Sequence, residues 1–275
     1  MPNLVSVVGH NTTMLPHMLN HYKDIVDDMF IVVYRQKDND KIVEEVESLG
    51  IKPFWIVTEP KFNWERVTHI YNTVKLRYPN DWWIVSDDDE LQVYPYDVKD
   101  IVKECIKHRY EFITGGFLDR IGEGGNFPEV SIDSNIQELF PYAGFFRYPM
   151  SGACPNKVTL MKGSVQVSPG QHYVNFEDGK NSWGRQHPKR FPIEEVFTQV
   201  HHFKWDSTVV KRIKEVSETK EDYTFWSEYK KMYSKIKNTE KIDIKNPSFM
   251  FEKLNNFSYI GYKQWDKLRE KIVLI

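Results

Sequence analysis

Cysteine and long apolar runs are scarce in this sequence. Among 275 residues there are only two cysteines, Cys105 and Cys154. They lie far apart without the spacing of a metal site, so a disulfide framework is not expected and a reducing compartment is the default prediction. No stretch approaches the roughly 20 apolar residues that cross a bilayer, and no signal-peptide pattern opens the chain. These absences predict a cytoplasmic protein without a membrane span.

A large excess of charge of either sign is also missing. The formal net charge is -2, from 37 basic and 39 acidic side chains, which argues against a nucleic-acid partner and against a polybasic membrane-binding patch. Aromatic residues are plentiful at 15%, a share that suits both a large core and a carbohydrate-handling surface. The length and composition predict a soluble protein with a substantial core.

The first half of the sequence alternates apolar runs with segments of helical spacing. Strands are predicted at residues 4–8, 29–34, 52–57 and 82–86. Helices are predicted at residues 12–23 with Asn11 or Thr12 as the cap, and at 40–49, 63–78 and 96–107. Such alternation is typical of βαβ units. It predicts an α/β fold in which a mostly parallel, nucleotide-binding sheet is flanked by helices.

The middle of the sequence is less regular. A strand at residues 111–121 leads into a glycine-rich loop at 122–125, and one short helix is expected near Ile136. Two further strands, at residues 157–161 and 165–167, are expected to pair as a hairpin.

The last third is polar and charged. Residues 170–192 contain many turn residues and are a predicted mobile lid, and residues 207–237 predict one amphipathic helix or a pair of helices. The predicted organisation is one domain at residues 1–210 and a helical C-terminal extension at residues 211–275 that packs on the same domain.

The strongest signal is a run of acidic residues directly after the apolar segment 82–86, namely Asp87, Asp88, Asp89 and Glu90. Neighbouring carboxylates repel one another and are costly to desolvate unless a cation or hydrogen-bond donors receive them. If the strand continues, Asp87 and Asp89 project to one side and Asp88 to the other. Glu90 is expected to orient the pair or to bind a sugar hydroxyl. The alternative is a solvated turn after an edge strand.

This segment, Ile84-Val85-Ser86-Asp87-Asp88-Asp89-Glu90-Leu91, resembles the Asp-x-Asp-Glu signature of GT-A-fold glycosyltransferases, in particular family-2-like and family-92-like enzymes. Three later segments are similar to segments of those enzymes: Leu118-Asp119-Arg120, Gly170-Gln171-His172 and His201-His202-Phe203-Lys204-Trp205. The resemblance covers roughly residues 4–210.

The resemblance implies a GT-A fold with an irregular acceptor-side half. It also implies a hexosyl- or deoxyhexosyltransferase that uses a UDP-, GDP- or dTDP-linked nucleotide-sugar donor. The acceptor would be a hydroxyl group of a glycan, a lipid-linked or a protein-linked molecule, and the reaction would invert the anomeric carbon.

The resemblance also implies a divalent metal, Mn²⁺ or Mg²⁺. Asp89 would be the main ligand, and Asp87 would lie near the metal or the ribose. A histidine of the pair His201 and His202 would complete the metal shell, and His202 is preferred because the family's histidine is directly followed by an aromatic residue. The alternative is a strand that places one histidine ring in the core and the other in solvent.

The donor nucleotide is expected over the first strands of the sheet. Arg66 is expected to contact the diphosphate, because its guanidinium matches phosphate oxygens, although a solvated helix charge explains it equally well. Lys204 is expected to offset diphosphate charge, and Trp205 to pack beneath the site. The residues predicted to contact the donor are Asn11, Tyr34, Thr58, Arg66, Asp87, Asp88 and Lys204.

An inverting transfer needs a general base near the acceptor hydroxyl. Asp119 is the first choice, because it is expected to follow a strand that lies beside the metal strand. Asp178 is the second, since Phe176-Glu177-Asp178 is similar to the segment that carries the base in many family members. His172 is expected to be a base, an acceptor contact or a metal neighbour. Arg120 is expected to orient Asp119 or the acceptor, or to form a structural ion pair.

Two other functions fit the same pattern. A sugar-nucleotide pyrophosphorylase or related nucleotidyltransferase shares the strand order, but such enzymes usually have a glycine-rich basic loop after the first strand, which Gly9-His10-Asn11-Thr12-Thr13 does not resemble. A non-catalytic carbohydrate-binding protein on the same scaffold is disfavoured by the retained acidic and histidine residues.

Overall fold

The computed structural model describes residues 1–144, 156–175, 187–245 and 252–253. The chain forms two compact units. Unit 1 comprises Met1–Gly116 and Asn156–Val200, and unit 2 comprises Phe117–Pro155 and His201–Ile275. Residues 201–210 thus belong to the same unit as the C-terminal segment, and the predicted domain boundary at residue 210 stays a prediction.

Regular structure alternates along the chain as expected for an α/β protein. The strands are β1 (Asn3–Val8), β2 (Met29–Arg35), β3 (Trp55–Thr58), β4 (Trp82–Val85), β5 (Glu90–Val93), β6 (Phe112–Ile121), β7 (Tyr142–Gly144), β8 (Asn156–Lys162), β9 (Gln166–Val167), β10 (Val174–Asn175), β11 (Thr198–His202) and β12 (Glu252–Lys253). The helices are α1 (Leu15–Tyr22), α2 (Ile42–Ser48), α3 (Trp64–Lys75), α4 (Val98–His108), α5 (Ile136–Leu139), α6 (Val209–Thr219) and α7 (Trp226–Ile236). No helix in these described ranges has the length and apolar character needed to cross a bilayer.

Unit 1 is built on a sheet with the strand order β6-β8-β4-β1-β2-β3. Strands β4, β1, β2 and β3 are parallel, whereas β8 runs antiparallel to both of its neighbours. Every residue of β1 is buried, so both faces of the sheet are covered, as a parallel sheet requires. The predicted α/β class, a mostly parallel sheet flanked by helices, is confirmed.

Helix α3 covers the face of the sheet that carries Val5 and Val7 of β1. Its start is fixed by Asn63, whose side chain accepts hydrogen bonds from the backbone N–H groups of Glu65 and Arg66, a standard N-cap arrangement. The buried face of α3 has helical spacing and consists of Val67, Ile70, Tyr71 and Val74. This face anchors the helix against the strand that leads to the acidic run.

Two local predictions are wrong. The expected hairpin between β8 and β9 does not form: β8 lies between β4 and β6, so both of its edges are occupied, and β9 pairs with β10 instead. The first helix is not capped by Asn11 or Thr12, since its N-cap residue is Met14 without a side-chain hydrogen bond. The Asn11 side chain instead accepts from the backbone N–H of Thr13 and closes a turn.

The last residue of α3, Lys75, is completely buried, and its hydrogen-bond partners among the described residues include no carboxylate. Its Nζ donates to the backbone carbonyl of Val165 and lies 3.2 Å from the Sδ of Met161. Burial lowers the pKa of Lys75 from 10.5 to about 7, because a low-dielectric interior disfavours the ammonium form.

We therefore expect the stability of the protein to rise with pH between about 7 and 10.5. In this window the unfolded chain keeps the Lys75 proton and the folded protein has released it, so raising the pH favours folding, by up to about 1.4 kcal/mol per pH unit. Urea unfolding at several pH values measures the slope. Lys75→Met should remove it, whereas Lys99→Met at an exposed position of α4 should not. Equal slopes for Lys75→Met and the wild type would show that Lys75 stays protonated in the folded protein.

Unit 2 contains the second half of β6, where Asp119 pairs with Gly144 of β7, and β7 in turn pairs with β12. Helices α6 and α7 pack against each other. Their buried residues include Ile213 and Val216 on α6 and Met232 and Ile236 on α7. The short helix predicted near Ile136 is confirmed, and of the two alternatives for residues 207–237 the pair of helices is the one observed.

Candidate functional site

The acidic run forms a turn at the carboxyl end of β4, in unit 1. The strand ends at Val85, and the backbone N–H of Glu90 donates to the carbonyl of Asp87 over 3.1 Å. Asp87, Asp88 and Asp89 are half-buried, while Glu90 is buried and begins β5. Because the strand does not continue through the run, strand alternation does not place Asp87 and Asp89 on one side.

A buried lysine from β8 lies against this turn. The Nζ of Lys157 is 2.6 Å from Glu90 Oε1 and 3.8 Å from Asp87 Oδ2, and the side chains of Lys157 and Glu90 are only 4% and 2% exposed. Burial acts to lower the pKa of Lys157, but the charges of Glu90 and Asp87 outweigh it and raise the pKa. Lys157 is therefore a charged internal partner of the acidic turn. Glu90, for which the sequence predicts a role in orienting Asp87 and Asp89 or in binding a sugar hydroxyl, forms an ion pair with Lys157.

Asp87 is held from a second direction by helix α3. The hydroxyl of Tyr71 donates to Asp87 Oδ1 over 2.6 Å. Burial, and next the charge of Asp87, raise the pKa of Tyr71 well above its usual range, so the phenol keeps its proton and remains a donor. Asp87 thus has a fixed orientation between Tyr71 and Lys157.

Gln171 completes the surroundings of Lys157, since its Oε1 accepts from Lys157 Nζ over 2.8 Å. Gln171 is buried and has a φ of 52°, a left-handed conformation that costs a residue other than glycine about 1–2 kcal/mol. Backbone strain of this kind is concentrated at functional sites.

His172 follows directly in the chain. Its Nδ1 lies 2.9 Å from the backbone carbonyl of Asn156, and because a carbonyl only accepts, Nδ1 carries the proton and Nε2 the lone pair. Burial, and then the nearby charge of Lys157, lower the pKa of His172 to about 4. His172 is therefore neutral at pH 7 and holds a second proton weakly, which suits a hydrogen-bond acceptor or ligand better than a general base.

A buried network of hydrogen bonds stabilises the two ends of the acidic turn. Ser86 Oγ donates to the carbonyl of Glu90 over 2.8 Å and lies 3.1 Å from the hydroxyl of Tyr22. The backbone N–H of Gln92 donates to the same Tyr22 hydroxyl, and the side chain of Gln92 donates to the carbonyl of Val85. These bonds fix both ends of the turn, on β4 and β5.

Of the residues predicted to contact the nucleotide, Tyr34 and Thr58 lie at the carboxyl ends of β2 and β3, and Arg66 lies in the first turn of α3. The hydroxyl of Tyr34 donates to Glu59 Oε2 over 3.0 Å and to the carbonyl of Lys61 over 2.7 Å. The Nε of Arg66 donates to Glu59 Oε1 over 2.6 Å. Thr58 accepts from Arg35. Arg66 is thus an ion-paired side chain, and its charge is partly offset by Glu59.

Three sequence-predicted residues come together in unit 2. Asp119 Oδ1 lies 2.7 Å from His202 Nδ1 and accepts from Trp205 Nε1 over 2.9 Å. Asp119 lies within β6 and does not follow it, and β8 separates β6 from β4, so the expectation that its strand lies beside the metal strand is wrong.

The other residues of this segment have structural partners. Arg120 is fully buried and donates to the carbonyl of Phe140 and to His201 Nδ1, the latter over 3.0 Å. It therefore does not orient Asp119. Lys204 Nζ lies 4.5 Å from the ring centre of Tyr229 on α7, a cation–π contact.

The described part of the structure does not include every predicted site residue. Asp178 lies outside the described residues. Within the described ranges, no group of three or more His, Cys, Asp or Glu side chains is arranged to hold a metal ion.

A cavity of about 630 Å³ lies at the opposite, amino-terminal edge of the sheet. Asn3, Phe30 and Trp82 contribute to its lining, and it is remote from the acidic turn.

Sequence reasoning missed Lys157, Tyr71 and Gln171 as parts of the site. One signal was available for Lys157: it is a lone charge at the start of the apolar strand segment Val158-Thr159-Leu160-Met161, and such a charge needs a buried partner. Tyr71 carries no such signal, because it lies at helical spacing among the apolar residues of α3.

Comparisons with known proteins add little. No protein-family model matches the chain, and no curated protein matches it. Among solved structures, HddC from Yersinia pseudotuberculosis is 12% identical with a TM-score of 0.30, over 47% of this chain and 64% of HddC. Mannose-6-phosphate isomerase from Helicobacter pylori is 10% identical with a TM-score of 0.30, over 60% and 72%. TarS 1-349 of S. aureus in complex with UDP is 12% identical with a TM-score of 0.31, over 86% and 71%. The chain spans less than two thirds of HddC, and these scores are too low to support a conclusion.

Proposed function

We propose that this protein is a metal-dependent glycosyltransferase that moves a hexosyl or deoxyhexosyl group from a nucleotide-sugar to an acceptor hydroxyl, with inversion. The observation that carries the proposal is the acidic turn at residues 87–90. It follows β4, the parallel neighbour of β1, and α/β sheets bind ligands beyond the carboxyl ends of such strands.

The side chains of this turn fit a divalent cation. Mg²⁺ and Mn²⁺ prefer oxygen ligands, and Mg²⁺ is commonly bound through one or two carboxylates together with substrate phosphates. Asp87 and Asp89 would hold the cation in this way, which needs no cluster of three protein ligands. When bound, the cation supplies positive charge that stabilises a departing nucleoside diphosphate.

Lys157 and Tyr71 support this role by preparing Asp87. Their contacts hold its carboxylate in one orientation before any ligand arrives, and a preorganised group needs no rearrangement when charge develops on the substrate. Lys157 also reduces the mutual repulsion of four neighbouring carboxylates, which would otherwise oppose folding of the turn.

The donor would be a UDP-, GDP- or dTDP-sugar bound over the carboxyl ends of the first strands. Tyr34 and Arg66 converge on Glu59 there, and Thr58 lies beside them at the end of β3. The acceptor would be a hydroxyl of a glycan, a lipid-linked or a protein-linked molecule. Asp119 stays the first choice for the general base and Asp178, which lies outside the described residues, the second.

The proposal predicts that a nucleoside diphosphate stabilises the protein only together with Mn²⁺. Thermal unfolding with UDP, GDP or dTDP, each with Mn²⁺ or with EDTA, tests this. One nucleotide at about 100 times its Kd should add about 2.7 kcal/mol, which raises the Tm by several degrees. Equal shifts with Mn²⁺ and with EDTA would contradict a metal-dependent site.

The reaction class is tested separately by the products released from the preferred nucleotide-sugar. A glycosyltransferase without acceptor hydrolyses it slowly and releases the nucleoside diphosphate. A pyrophosphorylase requires added pyrophosphate and releases the nucleoside triphosphate. Triphosphate formation would replace the proposed function with nucleotidyl transfer.

A further inference from the structure

The cavity of about 630 Å³ lies where strands β1, β2 and β4 begin, at the edge of the sheet opposite the acidic turn. The residues that line it all belong to unit 1, and they do not include the acidic turn or its partners Lys157 and Tyr71. Its volume is in the range of about 300–1,000 Å³ that is usual for small-molecule sites. The proposed function assigns no role to this cavity.

Two nearly buried polar side chains line the cavity without a hydrogen-bond partner in the described part of the chain. Asn3 is 9% exposed and Trp82 is 7% exposed. Neither the amide of Asn3 nor the indole N–H of Trp82 hydrogen-bonds to another described residue. A buried polar group that stays unpaired costs free energy. Since both side chains line the cavity, a polar occupant of the cavity can satisfy them.

An aromatic ring with a large exposed surface adds an apolar contact. Tyr78 lines the cavity and is 49% exposed. Its ring stacks on the buried ring of Trp83 at 6.3 Å and an angle of 25°, and its centre lies 6.2 Å from that of Phe30. These neighbours hold the ring of Tyr78 in place while half of its surface stays accessible. An aromatic face of this kind packs well against the C–H groups of a ligand.

The polar groups of the lining favour a neutral ligand that both donates and accepts hydrogen bonds. Asp28 and Lys162 contribute charges of opposite sign, so a phosphate would be repelled by the carboxylate and a polyamine by the ammonium group. The amide of Asn3 both donates and accepts. Sugar hydroxyl groups also do both, and a sugar ring presents C–H groups to an aromatic face.

We propose that this cavity is a carbohydrate-binding site, separate from the acidic turn, for a neutral mono- or oligosaccharide. The sugar stacks on Tyr78 and hydrogen-bonds to Asn3 and Trp82. Binding requires neither a metal ion nor a nucleotide, because the site uses no residue of the acidic turn. The inference therefore goes beyond the proposed function and does not depend on it.

Saturation-transfer NMR tests the site with neutral saccharides that end in glucose, galactose, mannose, N-acetylglucosamine or rhamnose. The experiment is done in EDTA without nucleotide. At least one of these sugars should bind, and neither spermidine nor inorganic phosphate should displace it. In protein labelled with 5-fluorotryptophan, the ¹⁹F signal of Trp82, assigned with Trp82→Phe, should shift as the sugar is added.

Variants of the lining locate the binding. Tyr78→Ala and Asn3→Ala should each weaken sugar binding by about 3- to 10-fold, because they remove a stacking face and a hydrogen bond. Tyr96→Ala is the matched control: Tyr96 is an exposed tyrosine of unit 1 that does not line the cavity, and its replacement should leave binding unchanged. Asp89→Ala should also bind the sugar as the wild type does.

The inference is overturned if none of the sugars binds, or if spermidine or phosphate displaces the sugar. Binding that is unchanged in both Tyr78→Ala and Asn3→Ala, with a Trp82 signal that does not move, would place the sugar elsewhere and refute the site. Loss of nucleotide binding in Asp89→Ala with normal sugar binding would leave both proposals standing. A protein that binds the sugar but no nucleotide would refute only the proposed function.

Discussion

Lys157→Met should lower the free energy of unfolding by about 3–5 kcal/mol, because it leaves Glu90 as a buried carboxylate without its cation. A methionine fills the space of the lysine stem but cannot compensate the charge. Urea unfolding at pH 7 measures the loss. Lys162→Met, at the other end of the same strand and outside this ion pair, is the matched control and should change stability by less than about 1 kcal/mol.

A double-mutant cycle tests whether the loss comes from the Glu90 charge. Glu90→Leu alone should cost less than Lys157→Met, since Asp87 and Gln171 remain near the ammonium. The double variant Lys157→Met with Glu90→Leu should recover most of the stability, because an apolar pair often replaces a buried ion pair at little cost. Additive losses would mean that the two side chains do not interact energetically, and that the short contact contributes nothing.

Asp89→Ala should reduce sugar transfer by about 10³-fold and abolish Mn²⁺-dependent nucleotide binding, while the fold is retained. Asp89 is half-buried in the turn and is the predicted main metal ligand, so its removal leaves the diphosphate charge without its counter-ion. Steady-state kinetics with the preferred donor, and the thermal shift with Mn²⁺ and nucleotide, measure the two effects.

Asp81→Ala provides the matched control for this variant. Asp81 is an exposed aspartate next to the amino end of β4, so it changes the protein's net charge equally but at the edge of the sheet remote from the turn. It should leave transfer and nucleotide binding unchanged. Wild-type turnover in Asp89→Ala would show that the metal assignment is wrong, and equal losses in both variants would point to a general charge effect.

The sequence predicted those parts of the fold that depend on local pattern. The strand–helix alternation through α4, the short helix α5 and the helix pair α6 and α7 follow from apolar spacing, which a helix or strand displays within its own residues. Strand pairing is not local. Nothing in the residues of β8 indicates that β4 and β6 occupy its two edges, and the adjacent β9 was therefore paired with it incorrectly. Strand β5 was missed because its four residues begin with Glu90, inside the acidic run.

The sequence predicted only the part of the site that lies within one continuous segment. The acidic run is contiguous, whereas its buried partner Lys157 comes from a strand 67 positions later than Glu90, and the Asp119–His202 contact joins residues 83 positions apart. Asp119 stands out in the sequence through the resemblance alone, and its contacts with His202 and Trp205 become visible only in the structure. A sequence shows that a carboxylate is present and does not show which nitrogen donates to it.

The ion pair of Glu90 and Lys157 determines which acidic residue can be replaced to obtain an inactive reference protein. Glu90 belongs to the conspicuous acidic run and looks like a natural target, yet replacing it removes the partner of a buried ammonium and lowers stability, so lost activity in such a variant would not report on chemistry alone. Asp89, on the outer part of the same turn, can be changed without opening the core. An inactive but folded reference for activity measurements should therefore start from a change at Asp89.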